Sequence, residues 1–304
     1  MGFVQFDWFT LTIISLTAGS VGRILQKAAL REQKNDSIAF SIYFQLLVSL
    51  IAVMIASANI GSYPKDINVW LVALLISFLL AVLNILFYYA LKHSEVSQVG
   101  ILSATQAFWV LLGGVIFWSE PLTQNKIIGV ILIVFGIAAV YWRKGGFKDF
   151  GMPQLLVILC AVLGGVLETL NKYIIGYFSE PATYMVFSFL VPALLTAAFI
   201  PGAVKKIKPM LGWNKSNFLI IIGAVLLNFG AMAYYSALKA GGEVSQIGPI
   251  FQSTTVLSVI LGIVFLNERE NLGRKMLGAI IVFLGVLNIK NPGFLRTVIF
   301  DLFS

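Results

Sequence analysis

Among the 13 acidic residues of this 304-residue chain, Glu168 alone falls deep inside a long apolar stretch. The five aspartates, Asp7, Asp36, Asp66, Asp149 and Asp301, lie between or beyond such stretches. Where the stretch crosses a lipid bilayer, an ionised group near its centre costs about 2.5–3.5 kcal/mol and must be paired or put to use. Two pairings are open for Glu168. Lys172, four residues on, is the favourable partner for a bridge along one helix face. Arg23, similarly placed in the first apolar stretch, is the second. On antiparallel helices the two would be separated along the membrane normal by on the order of 10 Å, at 1.5 Å per residue. They could then meet, or hold a zwitterion between them, with Arg23 taking its carboxylate and Glu168 its ammonium. Glu168 is also the deep acid available for proton coupling. Gln26 and Asn171, each beside a lysine (Lys27, Lys172), are further candidate substrate contacts, and the lysines themselves can snorkel to the interface.

Other polar groups stand within the apolar stretches. Thr105, Gln106 and Trp109 follow one another in the fourth, and Gln252, Ser253 and Thr254 in the ninth; Asn84 and Asn228 lie in the third and eighth. Such side chains are costly to leave unpaired in hydrocarbon, so they face other helices or a wet cavity. Glue between helices and a cavity lining both satisfy this. Tyr88, Tyr89, Tyr234 and Tyr235 are expected as interfacial anchors. Enzyme chemistry finds little support. The single histidine, His93, sits in a loop, and there is no HExxH, no pair of intramembrane aspartates and no cysteine cluster beyond the lone Cys160. No metal or cofactor is implied.

The elements that must position these residues follow from composition. The chain is 59% hydrophobic and 11% charged, with mean hydropathy +0.93, too few charges to cover a soluble protein of this length. Ten apolar stretches, 8–30, 38–58, 69–91, 98–118, 126–142, 154–177, 182–200, 218–238, 246–266 and 275–288, are each expected to cross the membrane as a helix. No cleavable leader precedes them, so the first is expected to remain as an anchor. The net charge of +8 sits at the ends of the stretches and suits anionic lipid head groups rather than nucleic acid. An integral, multi-pass protein of the cell membrane is expected; oligomeric state leaves no mark in the sequence.

The chain is written twice. YYALKHSEVSQVG (88–100) returns as YYSALKAGGEVSQIG (234–248), and AGSVGRILQK (18–27) aligns with LGGVLETLNK (163–172), which sets Arg23 opposite Glu168. Gly114 matches Gly262, Glu120 matches Glu268, and Gly129 and Gly136 match Gly278 and Gly285. The glycines of each last pair are seven apart, on one face that can pack closely against a neighbour. The predicted domains are residues 1–146, a first five-helix repeat, and 147–304, a second with a short tail. An odd number of spans per repeat forces the second to enter the membrane from the opposite side, giving inverted repeats. In the repeated EVSQ, Ser94 and Gly242 stand at N-cap positions, with Glu95 and Glu243 in the first helical turn. There they would cap the helix dipole for roughly 0.3–1 kcal/mol, or gate one mouth of a pathway. Gln98 and Gln246 are expected at the interface.

These motifs, YYALKHSEVSQ…GGVIFWSE…GVILIVFG and YYSALKAGGEVSQ…LGIVFLNE…GAIIVFLG, resemble the EamA family of the drug/metabolite transporter superfamily over the full length of the chain. The pattern departs at Ala104-Thr105-Gln106, where the family often has a proline that the second half keeps as Pro249. The small multidrug pumps of the superfamily carry a deep glutamate where this chain has Gly19 and Gly164, so the likeness stops short of their coupling site. The resemblance implies a secondary transporter that exports or exchanges small metabolites by alternating access; small polar, amino-acid-like solutes are favoured by the Arg23 and Glu168 pair. The alternatives are a flippase for a lipid-linked precursor and, outside transport, a membrane scaffold or enzyme. Orientation divides the two lines of inference: the excess of Lys and Arg in alternate loops places both termini outside, whereas the resemblance implies both inside.

Overall fold

A computed structural model of the chain describes residues 6–32, 36–58, 63–94, 96–142, 150–212, 214–265 and 271–294. The described residues are helical with short connections: α1 (Trp8–Glu32), α2 (Ser37–Ala58), α3 (Ile67–His93), α4 (Val96–Ala104), α5 (Gln106–Trp118), α6 (Gln124–Tyr141), α7 (Met152–Ile175), α8 (Pro181–Phe199), α9 (Pro201–Val204), a 3-10 segment (Lys205–Leu211), α10 (Lys215–Lys239), α11 (Val244–Gln252), α12 (Thr254–Phe265) and α13 (Leu272–Lys290). Among the described residues ten helical segments are long and apolar enough to cross a membrane, the fourth made of α4 and α5 and the ninth of α11 and α12. This is an all-α, multi-pass membrane fold. Helices serve because they satisfy their own backbone groups where no water can.

Local sequence fixes the helix starts. Asp36 accepts the backbone N–H groups of Ile38 and Ala39 at the head of α2, and Asn214 that of Asn217 at the head of α10. Pro181 opens α8, where a missing N–H costs nothing. The apolar surface is left outward: Ile116 and Phe117 are 69% and 72% exposed, and Val264 and Phe265 68% and 71%, as lipid contact requires.

Packing divides the chain into two compact units, and each draws on both sequence halves. The first holds residues 1–89 and 170–241, the second 90–169 and 242–304. This is a different division from the sequence repeat, which concerns likeness rather than packing.

In the first unit α1 runs antiparallel to α10. Gly22 lies against Gly223, Gly230 against the Ser15 carbonyl, and Ser216 donates to the Ala29 carbonyl at 3.0 Å. α2 packs on α8 and α10, with Ser49 donating to the Val186 carbonyl and Asn228 to that of Val48, both at 3.1 Å. The segment 201–211 tucks Ala203 and Met210 into this core and leaves Lys205, Lys206 and Lys208 exposed. Lys206 pairs with Asp36 at 2.6 Å, and its ammonium holds the Asp36 carboxyl below the usual carboxylate value.

In the second unit α6 and α13 cross antiparallel on their glycines, Gly129 against Gly285 and Gly136 against Gly278. The four glycines singled out in the sequence are thus each other's neighbours, and their carbonyls take the place of side chains. α5 and α11 also pack antiparallel, Val110 filling the space over Gly248 and Gly114 facing Ser245.

Candidate functional site

The polar clusters of the fourth and ninth spans surround breaks in those helices. The fourth is interrupted at Thr105 and the ninth at Ser253, positions separated by the same spacing as Glu95 and Glu243. Both breaks are tightened turns rather than unwound ones: Thr105 has φ −62, ψ −18 and Ser253 φ −63, ψ −15. Proline is not the shared cause, because α11 contains Pro249 while α4 contains none. A hydroxyl bonding back to a carbonyl three residues earlier is common to both. Thr105 Oγ1 donates to the Leu102 carbonyl at 2.6 Å, and Thr254 Oγ1 to that of Phe251. Such back-bonding competes with the helical ladder and bends it.

Around the first break, α5 lies on α7. The Gln106 amide sits over Gly164, within 2.6–2.8 Å of where a Cβ would stand there, and Trp109 sits over Gly165 in the same way. Gly164 therefore makes room for Gln106. One turn further along α7, Glu168 is half-buried. At the second break Gln252 is half-buried, Thr254 is fully buried, and the hydroxyl of Ser253, itself buried, has no hydrogen-bond partner among the described residues. All of these belong to the second unit.

The remaining candidates belong to the first unit. Arg23 is exposed on α1, and Gln26, Asn84 and Asn171 are half-buried. Gln26 lies beside Gly223. Asn171 accepts a hydrogen bond from Tyr184 at 2.6 Å. Asn228 is buried with its amide N–H₂ bonded to the Val48 and Ala224 carbonyls, and its own oxygen is without a partner among the described residues. Its donors serve packing.

Three sequence expectations need correction. Tyr234 and Tyr235 are buried, not interfacial; Tyr235 lies edge-on to Tyr184, which packs on Phe178 and through it on Trp70. Of the first pair, Tyr89 is exposed and the Tyr88 side chain lies outside the described set. Gln98 is buried as well, accepting from Gln154 at 2.8 Å instead of anchoring in head groups.

The third correction concerns EVSQ. Glu95 lies outside the described residues. Glu243 occupies the N-cap position of α11 but makes no capping bond with its side chain. The carboxylate that caps α11 comes from Glu120, which accepts the N–H groups of Val244 and Ser245, both at 2.9 Å. Ser119, in the left-handed region at φ 51, ends α5 and turns Glu120 back over Gly114, where a side chain would collide with the carboxylate. Glu243 instead forms an ion pair with Lys126, which is 2% exposed and also donates to Ser245 Oγ and the Pro121 carbonyl, both at 2.8 Å. This buried ammonium thus has one ion pair and two hydrogen bonds, the compensation such a charge requires. Glu120 and Lys126 were the residues the sequence understated. Their signal was present: in the repeat Glu120 matches Glu268, and the glycine register sets Lys126 on Lys275.

Among the described residues no group of three or more His, Cys, Asp or Glu side chains could hold a metal ion.

The EamA-like transporter family matches the chain twice, over residues 8–142 and 151–290. The chain belongs to the EamA-like transporter family. An uncharacterized transporter of Archaeoglobus fulgidus is 24% identical over 92% of this chain and 98% of its own length. A probable amino-acid metabolite efflux pump of Salmonella typhimurium is 22% identical over 60% of this chain and 62% of that protein. One solved crystal structure, 15% identical, superposes with a TM-score of 0.72 over 92% of this chain and 95% of its own, which shows a shared fold. This EamA-like chain is therefore an integral membrane protein whose general function is secondary transport of small polar solutes.

Proposed function

We propose that the protein exports or exchanges amino-acid-like metabolites by alternating access, working as two inverted five-helix repeats, residues 1–146 and 147–304. The observation that carries this reading is the pair of matched helix breaks, at Thr105 and Ser253, each set among polar side chains. Discontinuous helices in corresponding places of a repeat are where transporters bind substrate, and here the buried Ser253 hydroxyl, without a partner among the described residues, is a group that a solute could satisfy. The two family matches and the antiparallel crossing of α6 with α13 support the repeat. The Salmonella relative, described as a probable amino-acid metabolite efflux pump, supports the solute class.

In this reading Thr105, Gln106, Trp109, Gln252, Ser253 and Thr254 are the solute contacts of one unit, and Gln26, Asn84, Asn171 and the oxygen of Asn228 those of the other, each unit taken by itself. Arg23 recognises a carboxylate and Glu168 an ammonium or a coupled proton. Glu243, held by Lys126, stands at one mouth as a fixed charge, and Glu95 is the corresponding residue of the first repeat. From the loop charges, both termini face outward. An impermeant thiol reagent on intact cells would then label a cysteine at Leu122 and spare one at Lys208; the reverse pattern inverts the orientation.

A screen of amino acids by thermal shift in detergent tests the solute class. A ligand at 100 times its Kd stabilises the protein by about 2.7 kcal/mol, and the shift should vanish in Arg23→Gln. Stabilisation by lipid-linked precursors but by no amino acid would transfer the protein to the flippase class.

A further inference from the structure

The chain passes from the first unit to the second between Gly241 and Gly242, and the residues on either side are fastened very differently from the exposed Gly241. α10 ends at Lys239, and the Lys239 ammonium donates to the carbonyls of Phe178, at 2.7 Å, and Ser179, all within the first unit. α11 begins at Val244, and there Glu120 holds the first two N–H groups while Lys126 holds Glu243 and Ser245, all within the second unit. Between the fastenings lie Ala240, Gly241 and Gly242. Gly241 has φ +85, a conformation that side-chain-bearing residues rarely adopt, is exposed, and has no atom within 4 Å of where a Cβ would stand.

The other two crossings between units, Tyr89 to Ala90 in α3 and Thr169 to Leu170 in α7, run through continuous helix. Helix can bend there, but its hydrogen-bond ladder resists a change of φ and ψ at any single residue. At this crossing Gly241 is exposed with open space around it, whereas Gly242 is buried.

We propose that Gly241 is the swivel in the loop between the two units, turning while α3 and α7 bend at their own crossings, and that Lys239 on one side and Glu120 with Lys126 on the other are positioning residues that keep the change in this loop at the glycine. The EVSQ of the second repeat is then the anchored end of the swivel: its Glu, Val and Ser are the three residues held by Lys126 and Glu120. A buried ammonium with an ion pair and two hydrogen bonds and a carboxylate occupied by two backbone donors make a stiff anchor, because loosening either leaves a charge without compensation. Small mobile linkers flanked by rigid attachments are how hinges absorb a domain movement. The inference rests on the transport reading only in supposing that the units move.

Pulsed dipolar spin-label measurements and hydrogen exchange on the full chain in lipid nanodiscs test it without any substrate. Labels at Lys208→Cys and Met152→Cys, exposed positions in the first and second units, are placed in a Cys160→Ala background. The intact linker should give a distance distribution that is broad or has two peaks. Gly241→Asn, which keeps a residue tolerant of the left-handed region while restricting the linker, should narrow it with the unfolding temperature little changed. Lys126→Met should raise amide exchange over residues 243–247 at least tenfold and broaden the distribution. Should that variant not fold, Glu120→Gln, which keeps the shape and one acceptor, should raise the same exchange several-fold. A single narrow distance in the intact protein, or a distribution that ignores the linker substitution, overturns the swivel. Unchanged exchange over 243–247 in a folded Lys126→Met or Glu120→Gln protein overturns the anchor. Absence of solute flux with these responses intact would overturn the transport reading and leave the swivel standing.

Discussion

The carbonyl oxygen of Gly278 lies 2.7 Å from the point where a side chain on Gly136 would begin, and that of Gly136 lies 2.6 Å from the same point on Gly278. The two residues are matched by the glycine pattern of the repeat, one turning up in each half. Backbone here fills the place of a side chain, and a carbonyl cannot move aside as a flexible side chain can.

Gly136→Ala should therefore force α6 from α13 and cost about 1–3 kcal/mol, the usual range for overpacking. Gly273→Ala, at a site with nothing within 4 Å, should be neutral or mildly stabilising. Thermal unfolding of the two variants in one detergent compares them directly. Equal stabilities would mean that the helices separate without penalty.

Lys126 and Glu243 give a second stability test. Removing one partner of a buried pair costs about 3–5 kcal/mol, and the partial exposure of Glu243, 31%, should keep Lys126→Met near the lower end. Adding Glu243→Leu to Lys126→Met should recover part of the loss, since no buried charge then lacks a partner. A double variant less stable than Lys126→Met by the full cost of Glu243→Leu alone would show that the two residues act independently.

Thr105 and Thr254 separate stability from transport. Hydroxyl bonds within membrane helices contribute only about 0.6 kcal/mol on average, so Thr105→Val and Thr254→Val should unfold close to the parent protein. If the breaks present the solute site, flux should nevertheless fall at least tenfold in the double variant. Unimpaired flux would reduce the breaks to a packing feature.

Asp36 and Lys206 predict a pH dependence. The folded-state pKa of Asp36 is lowered, first by the hydrogen bond from Lys206, so its contribution is full above the ordinary value near 4 and fades as pH falls through the lowered one. Asp36→Asn keeps a capping side chain and removes the charge. It should lower stability by about 0–1 kcal/mol at pH 7, the range for surface pairs, and match the parent near pH 2–3. A difference that persists at low pH would assign the effect to the cap.

Much of the fold was legible in the sequence because lipid imposes one strong rule, and apolar stretches long enough to cross it are hard to mistake. The ten spans and the close-packing glycine face are of this kind. The partners of individual polar groups were less legible. Gln98 and Tyr234 sit near span ends, where interface and interior look alike in composition, and only packing against Gln154 or among the aromatics around Tyr184 decides between them. Glu243 reads as a helix cap by position, yet the cap is supplied from Glu120, more than a hundred residues earlier, because the turn at Ser119 brings that carboxylate to the α11 N–H groups. The breaks at Thr105 and Ser253 fall among hydroxyls that bond back to carbonyls of the preceding turn, a local geometry that composition alone does not reveal.

Flux by the purified protein in sealed liposomes bears most directly on the central claim. Labelled amino acids should cross faster than in protein-free vesicles, saturably, with Glu168→Gln losing the dependence on a pH gradient. No flux for any small polar solute, while lipid scrambling proceeds, would contradict it.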